Sequence, residues 1–503
     1  MTGAAAEPEW QRLHPLTTIA GTVLTAGVLI GAAVPIAIGM LLGGVAPGWV
    51  ALWVGGGIVV LTAAATVIEF LRVRASRYRI GADRLELRFS LIGSSVRSLP
   101  LRRIRTVDIT ADLVQRRLGL ASVRFGTGDQ SGSQYRLITV ARETAEQLRS
   151  AVLGESAGHA GRDQTGRLAT FDPAWIRYAP VSLGTPLIGV GAFGAAIQVA
   201  DWFGAVPVVW RAVSGLLAAI PLPVQILILL AVALVIGVIG SMAIFVESWW
   251  GYRLDRDPDG TLHVQRGLLV RRSSSFQGER IRGVTLAEPL GYRRTGAAML
   301  RVVAVGADTS QQDESKHKES TVVVPPSPRS VAVAAGEAIT GTAFPDQLTT
   351  HPPAAAHRRY RWSVLIFVVV LALLAVPAAL LSAELWWLVG GAAVVGAPVT
   401  WFLARDSAAG LGHLITADQV ILRSGSVFRD THVLSRKGLL GWNLTRSPAQ
   451  RRLRLATLVA TSAGSPGQFR LPDVAPEQAA ELQRTAGPVW DRLWVESEQP
   501  ASG

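Results

Sequence analysis

The chain contains no cysteine. Disulfides, thiolate nucleophiles, cysteine-ligated zinc and iron–sulfur clusters are therefore excluded. The absence also fits a cytoplasmic setting for any soluble part. Lysine is nearly missing too, since 46 of the 49 basic residues are arginine. Charge of either sign is absent from Pro15 to Ile68. The eight histidines are scattered, and none stands in an HExxH or another metal-ligand spacing. No Gly-rich loop ends in Gly-Lys-Ser/Thr, and no Gly-x-Ser-x-Gly is found. The expectation is a non-enzymatic protein with no catalytic residue, no metal and no cofactor.

What is abundant is long apolar sequence. Six runs come in three pairs: Leu16–Leu42 with Gly48–Phe70, Pro180–Ala200 with Leu222–Val246, and Ser363–Leu381 with Leu385–Leu403. A hydrocarbon core of ~30 Å needs about 20 residues per helix, so each run can cross it. The gaps at Gly43–Gly48 and Ser382–Glu384 are turn-sized, which makes each pair a hairpin. The first run is too long for a cleaved signal peptide and is followed at once by a second, so it reads as an uncleaved helix. Trp49, Trp202, Trp249, Trp250, Trp362, Trp386, Trp387 and Trp401 stand near run ends, as an interfacial belt would. Between the second pair, Trp202–Ile220 is amphipathic and reads as an interfacial segment.

The net charge of +13 has a location. Arg72, Arg74, Arg77 and Arg79 follow the second run, Arg167 and Arg177 precede the third, and Arg358, Arg359 and Arg361 precede the fifth. The opposite turns carry almost no charge. By the positive-inside rule the N-terminus, the three soluble blocks and the C-terminus face the cytoplasm of a multi-pass plasma-membrane protein. Topology accounts for much of the basic excess, and no nucleic-acid-binding motif appears, so nucleic acid is not an expected partner.

The soluble blocks repeat. From Leu91 to Ile104 is 13 positions and from Ile104 to Gly119 is 15. Leu268, Ile281 and Gly296 keep the same intervals, as do Ser426, Leu439 and Arg454. Repetition at fixed spacing signals one fold used three times. Alternating stretches such as Arg84–Phe89 and short runs such as Val123–Phe125 and Leu137–Val140 read as strands. Each block ends in a helical stretch: Ala141–Leu153, Arg329–Ile339 and Pro476–Leu493. The expected architecture is therefore a polytopic α-helical membrane protein with six transmembrane helices in three hairpins. It carries three all-β sandwich or barrel domains, each capped by a C-terminal helix. The expected boundaries are a hairpin at 1–75, a β domain at 76–155 and a linker at 156–179. A hairpin at 180–248, a β domain at 249–345 and a linker at 346–362 follow. The last hairpin takes 363–404, the last β domain 405–496 and a disordered tail 497–503. Gly154–Gly166 and Asp308–Ser320 read as polar linker and insertion.

The first block resembles a known family through Tyr78-Arg79-Ile80, Ser98-Leu99-Pro100-Leu101-Arg102-Arg103-Ile104, Val107-Asp108 and Gln115-Arg116-Arg117-Leu118-Gly119-Leu120. This pattern is similar to the bacterial PH-like domain, in its second bacterial family. The whole chain resembles the YdbT-like multi-spanning proteins built from such domains. In the second block Phe276-Gln277-Gly278-Glu279 departs from the pattern. In the third, Lys437-Gly438-Leu439 replaces Arg-Ile and Arg454 replaces the glycine, so that copy keeps the fold with its function in doubt. The resemblance implies a bent seven-stranded sandwich with a helix at one end, and no agreed activity.

Candidate contact residues are the recurrent basic ones: Arg116-Arg117, Arg293-Arg294 and Arg451-Arg452, with Arg102, Arg103, Arg105 and Arg280 before the core strands. Near an anionic leaflet each basic residue can contribute about 1 kcal/mol of attraction. Solvated loop charge, or arginine stems packed over strand ends, would give the same pattern. The expected role is an integral membrane scaffold whose three PH-like domains bind protein partners or anionic phospholipid headgroups at the inner leaflet. The same chain, or another protein, is a candidate partner. By family analogy the setting is envelope maintenance or stress protection. The rival is a passive transporter or lipid-handling protein with PH-like regulatory modules. The apolar runs lack the buried ionisable residues of ion-coupled pathways.

Overall fold

The computed structural model describes residues 10–486, except 43, 82–83, 91–93, 101–103, 105, 127–134, 154–165, 183, 203–205, 207–210, 212–214, 216–219, 306–320, 346 and 381–385. The candidates Arg102, Arg103 and Arg105 lie outside the described residues, as do the 497–503 tail and most of Trp202–Ile220, Gly154–Gly166 and Asp308–Ser320. The chain divides into two compact units, Met1–Gln277 and Gly278–Gly503.

The first unit opens with β1 (Gln11–Arg12) and two long helices, α1 (Leu16–Leu42) and α2 (Pro47–Ala75). They pack on each other. The first soluble block then supplies β2 (Ser76–Ile80), β3 (Arg84–Ser90), β4 (Ser94–Pro100) and β5 (Thr106–Ala111). A five-residue helix α3 (Leu113–Arg117), β6 (Leu120–Gly126), β7 (Tyr135–Ala141) and α4 (Arg142–Leu153) complete it. Strands β1–β4 form one antiparallel sheet in sequence order. Tyr78 and Leu85 from that sheet meet Val107, Val123, Phe125 and Val140 from the other strands, and Ala145 and Leu148 of α4 join the same core. The alternation visible in Arg84–Phe89 puts Leu85 inward, where it is fully buried.

Strands β5–β7 do not end their sheet within the block. Past a short β8 (Arg167–Thr170) and the helices α5 (Gly184–Trp202) and α6 (Leu222–Trp249), the chain forms β9 (Arg253–Arg256), β10 (Leu262–Arg266) and β11 (Arg271–Phe276). Strand β11 pairs antiparallel with β5, giving a seven-stranded sheet of order β7-β6-β5-β11-β10-β9-β8. Three strands of this sheet come from the first soluble block, three from the second, and the seventh is β8. Strand β8 lies inside the stretch expected as linker, and it covers the outer side of β9, which would otherwise be an open edge.

The second unit repeats the scheme. It holds β12 (Ile281–Ala287), the short helix α7 (Leu290–Arg294), β13 (Ala297–Ala304), β14 (Val322–Pro328) and α8 (Arg329–Thr340). Then come the long helices α9 (Pro353–Leu380) and α10 (Trp386–Ala409), which pack on each other. Next are β15 (Gly412–Ile415), β16 (Gln419–Ser424) and β17 (Asp430–Ser435), then β18 (Leu439–Thr445), the short helix α11 (Pro448–Arg452), β19 (Ala456–Ser462), β20 (Gln468–Val474) and α12 (Pro476–Ala486). Strand β17 pairs antiparallel with β12, giving the order β14-β13-β12-β17-β16-β15. Strands β18–β20 form a separate three-stranded sheet. Val420, Leu422 and Leu434 meet Leu458, Phe469 and Leu471 in a core that α12 joins through Ala479, Leu482 and Ala486.

The two joints are superimposable in register. Phe276 faces Thr106 in the first, and Leu434 faces Gly283 in the second. Both pairs sit at the same places in the 13-residue repeat, since Phe276 and Leu434 each follow their repeat marker, Leu268 or Ser426, by eight positions.

Among the described residues, five helices are long and apolar enough to cross a membrane. Only if the short helix Pro173–Val181 and α5, bent 77° apart, count as one span does the number reach six. The expected third span began at Pro180, but Pro180 falls in that 3-10 segment and α5 starts at Gly184. Two other long helices run past their apolar cores. Helix α9 begins at Pro353, inside the expected 346–362 linker, because proline pre-organises a first turn and Ala354–Ala356 propagate it. Helix α10 continues to Ala409 and so carries Arg405 and Asp406.

Each short helix is followed after one residue by a left-handed position: Gly119 at φ 68°, Gly296 at φ 71° and Arg454 at φ 50°. The backbone keeps its turn in the third block although the glycine is gone. A left-handed L-residue costs about 1–2 kcal/mol, partly offset by the lower entropy of its unfolded chain. Arg454→Gly is therefore expected to stabilise the protein by up to about 1 kcal/mol. A lowered midpoint in thermal unfolding would show that the Arg454 side chain makes a contact worth more than the strain.

Candidate functional site

The arginine pairs occupy one structural position, the last turn of each short helix. In α3 a reciprocal cap fixes that turn: Gln115 N–H donates to the Asp112 carboxylate at 2.7 Å, and Asp112 N–H donates to the Gln115 side chain at 3.3 Å. This aims Arg116 at the next block, where its guanidinium donates to the Leu268 carbonyl at 2.9 Å. Leu268 lies at the tip between β10 and β11. The end of α6 holds the same tip. Leu268 N–H donates to the Glu247 carbonyl at 3.0 Å, and the Glu247 carboxylate accepts from the N–H groups of Leu269 and Val270 at 3.0 and 3.2 Å.

The second unit builds the same joint with more charge. Arg293 stands where Arg116 does, and it donates to the Ser426 carbonyl at 2.6 Å. It also holds Asp406 through both guanidinium nitrogens, at 2.9 and 2.7 Å. Such paired bonds fix orientation as well as energy. Ser426 donates its hydroxyl to Asp406 at 2.9 Å, and Arg429 donates to the other carboxylate oxygen at 2.8 Å. Burial, then the adjacent Arg293, draws the Arg429 pKa below the ordinary guanidinium value. Each joint thus contains an acidic residue near the end of a long helix, a hairpin tip, and the first arginine of the preceding block's pair.

The second arginines point elsewhere. Arg117, Arg294 and Arg452 are exposed. Arg294 lies over the Phe402 ring of α10, with its guanidinium carbon 4.7 Å from the centroid. Arg451 occupies the position of Arg116 and Arg293 and is exposed. Arg280 is half-buried at the turn before β12, and its carbonyl accepts from Val305 N–H at 3.0 Å. The structure therefore separates the first two recurrent pairs into inner and outer members.

A second charged cluster ties the third block to α9. Asp473 is completely buried and accepts from Arg358 at 2.5 Å and Arg359 at 2.9 Å. Gln450, buried in α11, donates to the same carboxylate at 3.0 Å. His351 lies alongside, and its Nδ1–H donates to the Asp473 carbonyl at 3.0 Å. Burial, followed by the neighbouring His413, lowers the His351 pKa to about 4, so the ring is neutral near pH 7. Asp406 and Asp473 were not among the sequence candidates. Asp406 was legible in principle, as an acidic residue within one turn of a spanning helix's end. Asp473 had no sequence signal of its own.

These observations define a repeat protein in which β-sandwich blocks alternate with pairs of long apolar helices. The comparisons agree. The family described as "Bacterial PH domain" matches residues 19–156, 195–333 and 363–488. The chain belongs to that family and carries three PH-like repeats. The second match spans the division between the two units. No curated protein and no solved structure matches the chain.

Proposed function

We propose that this protein is a multi-pass plasma-membrane scaffold with six spanning segments in three hairpins. Its PH-like blocks face the cytoplasm and meet anionic phospholipid headgroups through the outer arginines Arg117, Arg294 and Arg452. It performs no catalysis of its own. The observation that carries this reading is the place of the short helices, each beside the end of a long apolar helix. Helix α3 touches α1, Arg294 of α7 covers Phe402 of α10, and Leu453, just past α11, packs against Ala355 of α9. The apolar side chains of the long helices support the membrane part. Leu187, Leu373 and Leu380 are 75%, 67% and 78% exposed, a surface suited to lipid rather than water.

The test uses the full chain in neutral detergent, titrated with phosphatidylglycerol and followed by native mass spectrometry. The triple variant Arg117→Gln, Arg294→Gln, Arg452→Gln is expected to bind phosphatidylglycerol about 100-fold more weakly, at roughly 1 kcal/mol per arginine. The loss should shrink as salt rises. Phosphatidylcholine binding should not change. Equal phosphatidylglycerol binding by the variant and the parent chain would remove the headgroup role.

A further inference from the structure

We infer that two sheet-edge strands of this chain, β4 and β18, pair with each other between copies and join the molecules head to tail. The first observation is the recurrence of one joint. The strand that ends the front half of a block (β11, then β17) pairs with the strand that opens the back half of the block before it (β5, then β12). By repeat position β4 belongs with β11 and β17, and β18 belongs with β5 and β12. Among the described residues, the front half of the first block and the back half of the third take part in no such joint. Among the described residues, β4 pairs only with β3, and β18 only with β19.

Burial shows what β18 lacks. Leu444 shares its repeat position with Ile109 and Leu286. Those two are 9% and 1% exposed inside their joints, and Leu444 is 38% exposed. Gly441 shares its position with Gly283. A Cβ on Gly283 would lie 2.1 Å from the Val433 carbonyl oxygen of the paired strand, whereas one on Gly441 would meet nothing within 4 Å. The surface for close strand approach is kept, and the strand that fills it elsewhere is absent.

The β18 edge is also undefended. Protected edges carry lysine, proline or charges that block pairing. Strand β18 reads Leu-Leu-Gly-Trp-Asn-Leu-Thr, with Leu440 60% exposed beside Leu444. Strand β4 reads Ser-Ser-Val-Arg-Ser-Leu-Pro, so it carries one charge and a proline at its end, and its Val96 is 56% exposed. Copying the register of the two internal joints places Leu99 opposite Gly441, Ser98 opposite Trp442 and Val96 opposite Leu444. The occupant is therefore a second copy of this chain, which carries the matching strand at the matching register. A contact of this type is heterologous, so it builds a ring if the rotation closes and an open row if it does not. It holds whether or not the outer arginines meet lipid.

The absence of native cysteine makes the test direct. Full-length Val96→Cys and Leu444→Cys chains with different tags are co-expressed, and isolated membranes are oxidised with copper phenanthroline. The expected product is a disulfide-linked pair carrying both tags. The double variant V96C/L444C should give a ladder of dimers, trimers and larger species on non-reducing gels. Both positions are exposed, so neither change disturbs a core. Val96→Cys combined with Leu440→Cys is the register control, since Leu440 lies four positions, roughly 13 Å, along the strand. Three results would each overturn the inference: no two-tag product, equal yield from the register control, or a double variant that closes a disulfide within one chain and forms no multimer.

Discussion

Asp473→Ala is expected to destabilise the second unit by roughly 3–5 kcal/mol, the range for breaking one side of a buried charge pair. Arg358, Arg359 and Gln450 all donate to this carboxylate, which has no exposure to solvent. Removing it leaves two guanidinium groups, 19% and 24% exposed, without their counter-charge. Backbone geometry adds to the loss. Asp473 sits at φ 62°, a left-handed conformation that aspartate tolerates better than alanine. Asp473→Asn keeps the shape and one acceptor, so it should fall between alanine and the parent chain. Thermal unfolding of the full chain in detergent, with limited proteolysis to locate the opening, measures this. A shift corresponding to less than about 1 kcal/mol would mean that the arginines find water or other acceptors, as exposed pairs do.

The second large effect is expected at the joint between the later blocks. Asp406→Ala removes the partner of Arg293 and Arg429, whose side chains are only 15% and 16% exposed, and it deprives the Ser426 hydroxyl of its acceptor. The expected loss is again roughly 3 kcal/mol or more. Here the more informative quantity is the coupling. If Arg293 works through Asp406, then Arg293→Ala added to Asp406→Ala should cost much less than the two separate losses combined, with about 0.5–3 kcal/mol of interaction. Additive losses would show that Arg293 acts through the Ser426 carbonyl alone. Arg116→Ala gives the comparison within the first unit. That arginine is exposed and donates to a neutral carbonyl, that of Leu268, so its removal should cost about 1 kcal/mol.

Much of this architecture is readable along the chain. The 13- and 15-residue intervals put the repeat in view, and the alternation around Leu85 marks a core strand. The family pattern in Gln115-Arg116-Arg117-Leu118-Gly119 corresponds to a definite object: a capped five-residue helix, an arginine pair and a left-handed turn. What the pattern conceals is partnership. Strand β5 pairs with β11 about 165 positions away, and nothing in the alternation of either strand names the other. The inner arginines recur for the same reason a ligand site would, because the fold uses them repeatedly. Spacing alone therefore cannot separate Arg116 from Arg117. Asp406 was missed because the hydropathy of the sixth run stops at Leu403 while the helix continues for six more residues. Strand β8 was missed because Arg-Leu-Ala-Thr is too short and polar to stand out, and it exists through pairing with β9.

The shared sheets set an order for synthesis. Strand β5 leaves the ribosome long before β11 exists, and two apolar helices must be made in between. At about 5–20 residues per second that interval is roughly 10–30 s. During it the first block has its core residues in hand and one flank of its back sheet unmatched. The same wait recurs for β12 until β17 arrives. A nascent chain of this protein therefore carries a transient sticky strand at each stage, and the strand is relieved only by the chain's own next segment. A ribosome that stalls, or a message truncated between blocks, would leave that strand for whatever neighbour in the cell can match it.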